Sequence, residues 1–73
     1  MPTLSLSNTI RKLRFDQGEM TQQQLAELVG VTRQTIVAIE KGNYSPSLEL
    51  AFRIARVFKL PIEQVFSFDD TSA

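Results

Sequence analysis

Residues Gln22 to Lys41, QQQLAELVGVTRQTIVAIEK, decide how this chain folds. Leu25, Ala26 and Val29 recur at i, i+1 and i+4, the spacing that lines one face of a helix. Gly30 follows, at the point where the left-handed backbone that ends a helix costs glycine least. Val31 plugs the corner, and the Thr32 hydroxyl is placed to cap a second helix. In that second helix Ile36 and Ile39 face back toward the first, which leaves Arg33, Gln34, Thr35 and Ala38 facing outward. The stretch therefore predicts two short amphipathic helices joined at a glycine corner.

A short polar helix held on a small core is a shape that the DNA major groove admits. The segment resembles the helix-turn-helix of the Cro/C1-type (XRE-like) family of prokaryotic regulators. Thr21-Gln22, Leu25-Ala26, Gly30-Val31-Thr32, Ile36, Ile39-Glu40 and Gly42 stand at the family's positions. The likeness continues through Pro46-Ser47-Leu48 and Ile54-Ala55, so it covers about residues 8 to 68. It implies an all-α fold, a compact five-helix bundle of the lambda-repressor-like type with helices 2 and 3 as the helix-turn-helix. It also implies sequence-specific binding of double-stranded DNA by a transcriptional regulator, with repression by occupancy as the expected mode.

Composition bounds the reading. The 73 residues are expected to form one domain, 1–73, with an ordered core over about 7–68 and a polar tail at 69–73. A chain this size buries only about 60% of its unfolded surface, so its stability margin is thin. Cysteine and histidine are both absent, which removes disulfides, thiolate metal sites and the commonest general base. With no glycine-rich phosphate loop and no paired carboxylates either, nothing nominates an enzyme, a metal or a cofactor. The longest apolar run is the four residues Ile36 to Ile39, too short for a membrane span. Met1 to Ser7 lacks the basic start and apolar centre of a secretory signal, so a cytoplasmic location is expected.

Charge is less obliging. Eight Lys and Arg balance eight Asp and Glu, at a pI near 6.1, whereas non-specific DNA binders are strongly basic. Arg11, Lys12, Arg14, Arg33 and Lys41 nevertheless fall in the first 41 residues, while Glu63, Asp69 and Asp70 sit near the other end. A local basic face on a neutral chain suits a specific binder.

The remaining helices follow from caps and stripes. Helix 1 is expected from about Asn8 to Asp16, capped by Ser7 or Asn8, with Ile10, Leu13 and Arg14 inward and Gly18 past its end. Thr21 with Gln24 three residues on forms a capping box for helix 2, and helix 3 stops at Gly42. Ser47 caps helix 4, whose stripe is Leu50, Ala51, Ile54, Ala55 and Phe58. Pro61 suits the first turn of a short helix 5 ending near Phe66. Ser67 to Ala73 is expected to fray, with Phe68 as one apolar hook, and no strand is expected anywhere.

Site residues follow partly from these faces and partly from the resemblance. Arg33, Gln34, Thr35 and Ala38 are the base-reading candidates, since Arg matches guanine's acceptors and Gln matches adenine's edge. Gln34 and Ala38 point most nearly away from Ile36, and Arg33 lies toward an edge. The family's pattern assigns Gln22 to a DNA phosphate at a helix N-terminus, with Gln23 and Thr32 beside it. Lys41, Asn43 and Tyr44 occupy the loop that touches the DNA backbone in the family. The resemblance also pairs Glu40 with an arginine of helix 1. Arg14 is the candidate, and the extra residue in Gly18-Glu19-Met20-Thr21 leaves Arg11 as the other. Lys59-Leu60-Pro61 departs from the family too, which tends to place glycine after helix 4. Leu48, Phe52, Phe66 and Phe68 are more apolar surface than one small domain hides, so they are expected to join two copies as a homodimer. The competing class is an antitoxin-like interaction module whose apolar face masks another protein.

Overall fold

Leu4-Ser5-Leu6-Ser7 alternates apolar and small polar residues, as does Phe66-Ser67-Phe68, and an extended strand has that period of two. In the computed structural model, which describes residues 4–70, both runs are strands. Strand β1 (Leu4–Asn8) pairs antiparallel with β2 (Phe66–Asp70), placing Asn8 opposite Phe66 and Leu6 opposite Phe68. The Ser7 and Ser67 hydroxyls meet across the ribbon at 3.0 Å. This corrects the expectation of a strandless chain and of a tail fraying from Ser67. Residues 71–73 of that tail lie outside the described residues.

Between the strands lie five helices: α1 (Ile10–Asp16), α2 (Gln22–Val29), α3 (Arg33–Glu40), α4 (Leu48–Phe58) and α5 (Ile62–Val65). The fold is all-α in its core, with the ribbon as a minor addition. Helix α1 begins two residues later than expected. The Asn8 side chain accepts the Ile10 backbone N–H at 3.2 Å and donates to the Ile39 carbonyl at 3.0 Å. One asparagine thereby starts α1 and ties it to the last turn of α3. Thr21 and Gln24 form a reciprocal capping box on α2, with bonds of 3.0 and 2.8 Å. Thr32 and Ser47 accept the backbone N–H three residues on at the starts of α3 and α4. Gly30 ends α2 at φ 79°, a value that favours glycine.

The core runs from Ile10 through Leu25, Ala26, Val29, Ile36 and Ile39 to Ile54, Phe58, Val65 and Phe66. Phe66 is 9% exposed, which corrects its assignment to a surface seam. It begins β2 opposite Asn8, and its ring joins the core.

Two residues other than glycine take the left-handed conformation that favours glycine. Lys59 caps α4 at φ 57°, its N–H reaching the Ala55 and Arg56 carbonyls. Glu19, the extra residue of the α1–α2 loop, stands at φ 62° directly after Gly18 at φ 76°. A side chain in this region costs about 1–2 kcal/mol. Lys59→Gly is therefore expected to stabilise the fold by about 0.5–1 kcal/mol after glycine's greater unfolded-state entropy is counted. A thermal melt checks it, since a gain of that size raises Tm by about 2–8 °C in a domain this small. No rise would mean that the lysine stem makes a contact worth as much as the strain.

Candidate nucleic-acid interface

Helix α3 sits against the core through Ile36 and Ile39, both at most 2% exposed. Opposite them, Arg33, Gln34 and Lys41 are exposed, with Val37 and Ala38 half-buried. A helix turns about 100° per residue, so Val37 lies as near the outward direction as Ala38 does. Sequence reading passed over Val37 because it is apolar, although its angle was legible. The Thr35 hydroxyl is turned to Thr32, Oγ1 to Oγ1 at 3.1 Å, on the inward edge of the outer face. Of the four base-reading candidates, Thr35 is thus engaged within the protein, while Arg33 and Gln34 have exposed side chains.

A trough of about 1150 Å³ is lined by α1, the start of α2 and one flank of α3, the side carrying Arg33, Val37, Glu40 and Lys41. Arg33, Val37 and Lys41, four residues apart, form one wall. Arg11, Lys12 and Phe15 of α1 form the other, and Gln22 and Gln23 stand at the end. The arrangement resolves the charge problem. All five cations of the first 41 residues, Arg11, Lys12, Arg14, Arg33 and Lys41, line this single trough. The carboxylates on it, among the described residues, are Glu19 and Glu40. A chain with no net charge therefore carries a cationic channel. Arg11 and Lys12 were expected in a local basic face but not assigned a DNA contact, because their side of α1 cannot be placed against α3 from periodicity alone.

Glu40 is neutralised at the trough floor. Arg14 reaches it through Nε at 2.7 Å and Nη2 at 3.1 Å, and donates Nη1 to the Met20 carbonyl at 2.8 Å. The two side chains are 14% and 9% exposed. Glu19 in its left-handed conformation absorbs the additional loop residue, which leaves the register of α1 such that Arg14, not Arg11, faces Glu40. Gln22 also joins this pair, its Nε2 donating to Glu40 Oε1 at 3.2 Å. Gln23 is exposed and bonds Glu27 at 3.1 Å.

The other candidates lie where α3 leads out. Asn43 and Tyr44 are exposed on the α3–α4 loop. Tyr44 also borders a smaller cleft of about 260 Å³ with Leu6, Asn8, Ile39 and Phe66, which links that loop to the ribbon. On the other surfaces, Leu48 is 72%, Phe52 48% and Phe68 69% exposed. No helix among the described residues is long and apolar enough to cross a membrane.

Comparison with known proteins agrees with this geometry. A family model described as helix-turn-helix matches residues 10–65. An HTH-type transcriptional regulator of Archaeoglobus fulgidus is 59% identical over 61 residues, covering 84% of this chain and 86% of the relative. The HTH-type transcriptional regulator YgzD of Bacillus subtilis is 46% identical over 65 residues, 89% of this chain and 97% of its own. More distant is the cryptic phage CTXphi transcriptional repressor RstR of Vibrio cholerae, 35% identical over 66 residues, 90% of this chain and 59% of that protein. With a full helix-turn-helix, its caps and its glycine corner in place, the chain belongs to the Cro/C1-type (XRE) helix-turn-helix family of DNA-binding transcriptional regulators.

Proposed function

We propose that this protein is a repressor that occupies a palindromic operator as a homodimer, with α3 in the major groove and the DNA backbone along the cationic trough. The observation that carries the reading is the gathering of four cations outside the Arg14–Glu40 pair, Arg11, Lys12, Arg33 and Lys41, onto one channel beside α3 in a chain of zero net charge. Gln34 and Ala38 face base edges, Arg33 stands where that face meets the trough and reaches a base edge or a phosphate, and Val37 offers its methyls to a thymine methyl. Arg11, Lys12 and Lys41 hold phosphates, together with Gln22, Gln23, Thr32, Asn43 and Tyr44 at the adjoining helix start and loop. The likeness to RstR, named a transcriptional repressor, supports repression over activation.

Selection of bound duplexes from a random DNA pool by the purified protein tests binding, specificity and half-site spacing together. Against the selected site, Gln34→Ala should cost about 1–3 kcal/mol and relax preference at one base pair. Lys12→Ala should weaken every sequence alike and reduce the slope of log affinity against log salt by about 1 per protomer. If Gln34→Ala kept both the affinity and the preference of the parent, α3 would not be the reading element.

A further inference from the structure

The carboxylate of Glu40 has all the charge compensation it needs from Arg14, which spans both its oxygens at 2.7 and 3.1 Å. Yet its Oε1 accepts a third bond, from Gln22 Nε2 at 3.2 Å. Gln22 is half-buried at the first residue of α2 and lines the trough. An ionised carboxylate is acceptor-only, so it admits just one orientation of the glutamine amide, with the NH₂ end toward it. The first N–H is then spent on Glu40. The second lies on the far side of the same planar nitrogen and has no partner among the described residues. A glutamine without such an anchor turns over, and presents its carbonyl oxygen as readily as its N–H.

We propose that Glu40 is a positioning residue for DNA, acting through Gln22: it fixes the amide so that the free N–H is offered to a phosphate oxygen in the trough. The proposal rests on the reading of the trough as the DNA-backbone site. It gives Glu40 a second task beside its ion pair. It also joins the last residue of the base-reading helix to the first residue of the phosphate-binding one, so the two contacts are set as a unit. The charge at position 40 matters here because a neutral amide there can donate as well as accept, and it no longer dictates which end of Gln22 faces the trough.

The test is a double-mutant cycle on affinity for the selected duplex, using Gln22→Ala, Glu40→Gln and the double variant, each verified as folded by circular dichroism at low temperature. In the parent, Gln22→Ala should weaken binding about tenfold, the size expected for one hydrogen bond to a charged phosphate. In the Glu40→Gln background the same change should cost no more than about twofold, because the oriented donor is already lost. If Glu40 served the fold alone, Gln22→Ala would cost the same factor in both backgrounds, and that result would overturn the proposal while leaving DNA binding intact. A parent without affinity for any duplex would overturn the DNA reading and this proposal with it. Where Glu40→Gln does not fold, side-chain amide NMR of the parent decides. The Gln22 carboxamide should be ordered, with restricted rotation, and averaging as fast as that of the exposed Gln34 amide would reject the anchor.

Discussion

Glu40→Ala is expected to destabilise the fold by about 3–5 kcal/mol, measured by urea denaturation. The carboxylate accepts three hydrogen bonds, two from Arg14 and one from Gln22, and only 9% of its side chain meets solvent. Its removal leaves the Arg14 guanidinium, 14% exposed, without a counter-charge beneath the trough. The loss therefore comes less from a forfeited attraction than from a stranded cation. A domain of 73 residues has a total stability of about 4–11 kcal/mol, so the variant should lose roughly a third or more of it and melt at a much lower urea concentration than the parent. Arg14→Ala should behave similarly, with the Met20 carbonyl losing its 2.8 Å donor as well. The double variant should be no worse than the poorer single one, because neither charge is then left alone. A cost below about 1 kcal/mol would class the pair with exposed surface bridges, and the positions of α1 and α3 would have to be held by apolar contacts alone.

That ion pair also marks how far sequence alone reached. Helices α2 and α3 were legible because their determinants are local: a capping box, a glycine at φ 79° and buried residues three and four apart. The ribbon was not recognised, although Leu4-Ser5-Leu6-Ser7 and Phe66-Ser67-Phe68 each alternate. Each run is too short to outweigh a competing local reading, a serine cap at one end and an acidic fraying tail at the other. The partner strand that decides the matter lies about 60 residues away. Phe66 was misplaced for the same reason, since its burial comes from the ribbon turning it onto the core. The five cations were legible as a local basic face, but their gathering into one channel depends on how α1 is set against α3. Gln22 was seen as a phosphate ligand, but its bond to Glu40 joins residues 18 apart and has no local signature.

The proposed homodimer carries the other large expected effect. Replacing both Leu48 and Phe68 with Ser should give a folded monomer whose operator affinity falls by about 10²–10⁴-fold. One α3 reads only a few base pairs, and a second copy at a half-site about 34 Å away adds its contacts at the high effective concentration of a linked site. The chosen positions are those where the fold itself loses least. Leu48 and Phe68 are 72% and 69% exposed, and Leu48 stands one turn before Phe52 on the same side of α4. Phe66, by contrast, is part of the core, and Phe66→Ser would report on stability instead of assembly. Sedimentation at tens of micromolar and binding to one-site and two-site duplexes separate the two effects. The double variant should bind a single half-site as well as the parent protomer does, and lose its advantage only on the palindrome. A parent that sediments as a monomer at that concentration, free and on a single unrepeated half-site, would sink the dimer. Leu48, Phe52 and Phe68 would then be exposed apolar surface without a second copy to cover it, which is what an antitoxin-like module presents to a different protein.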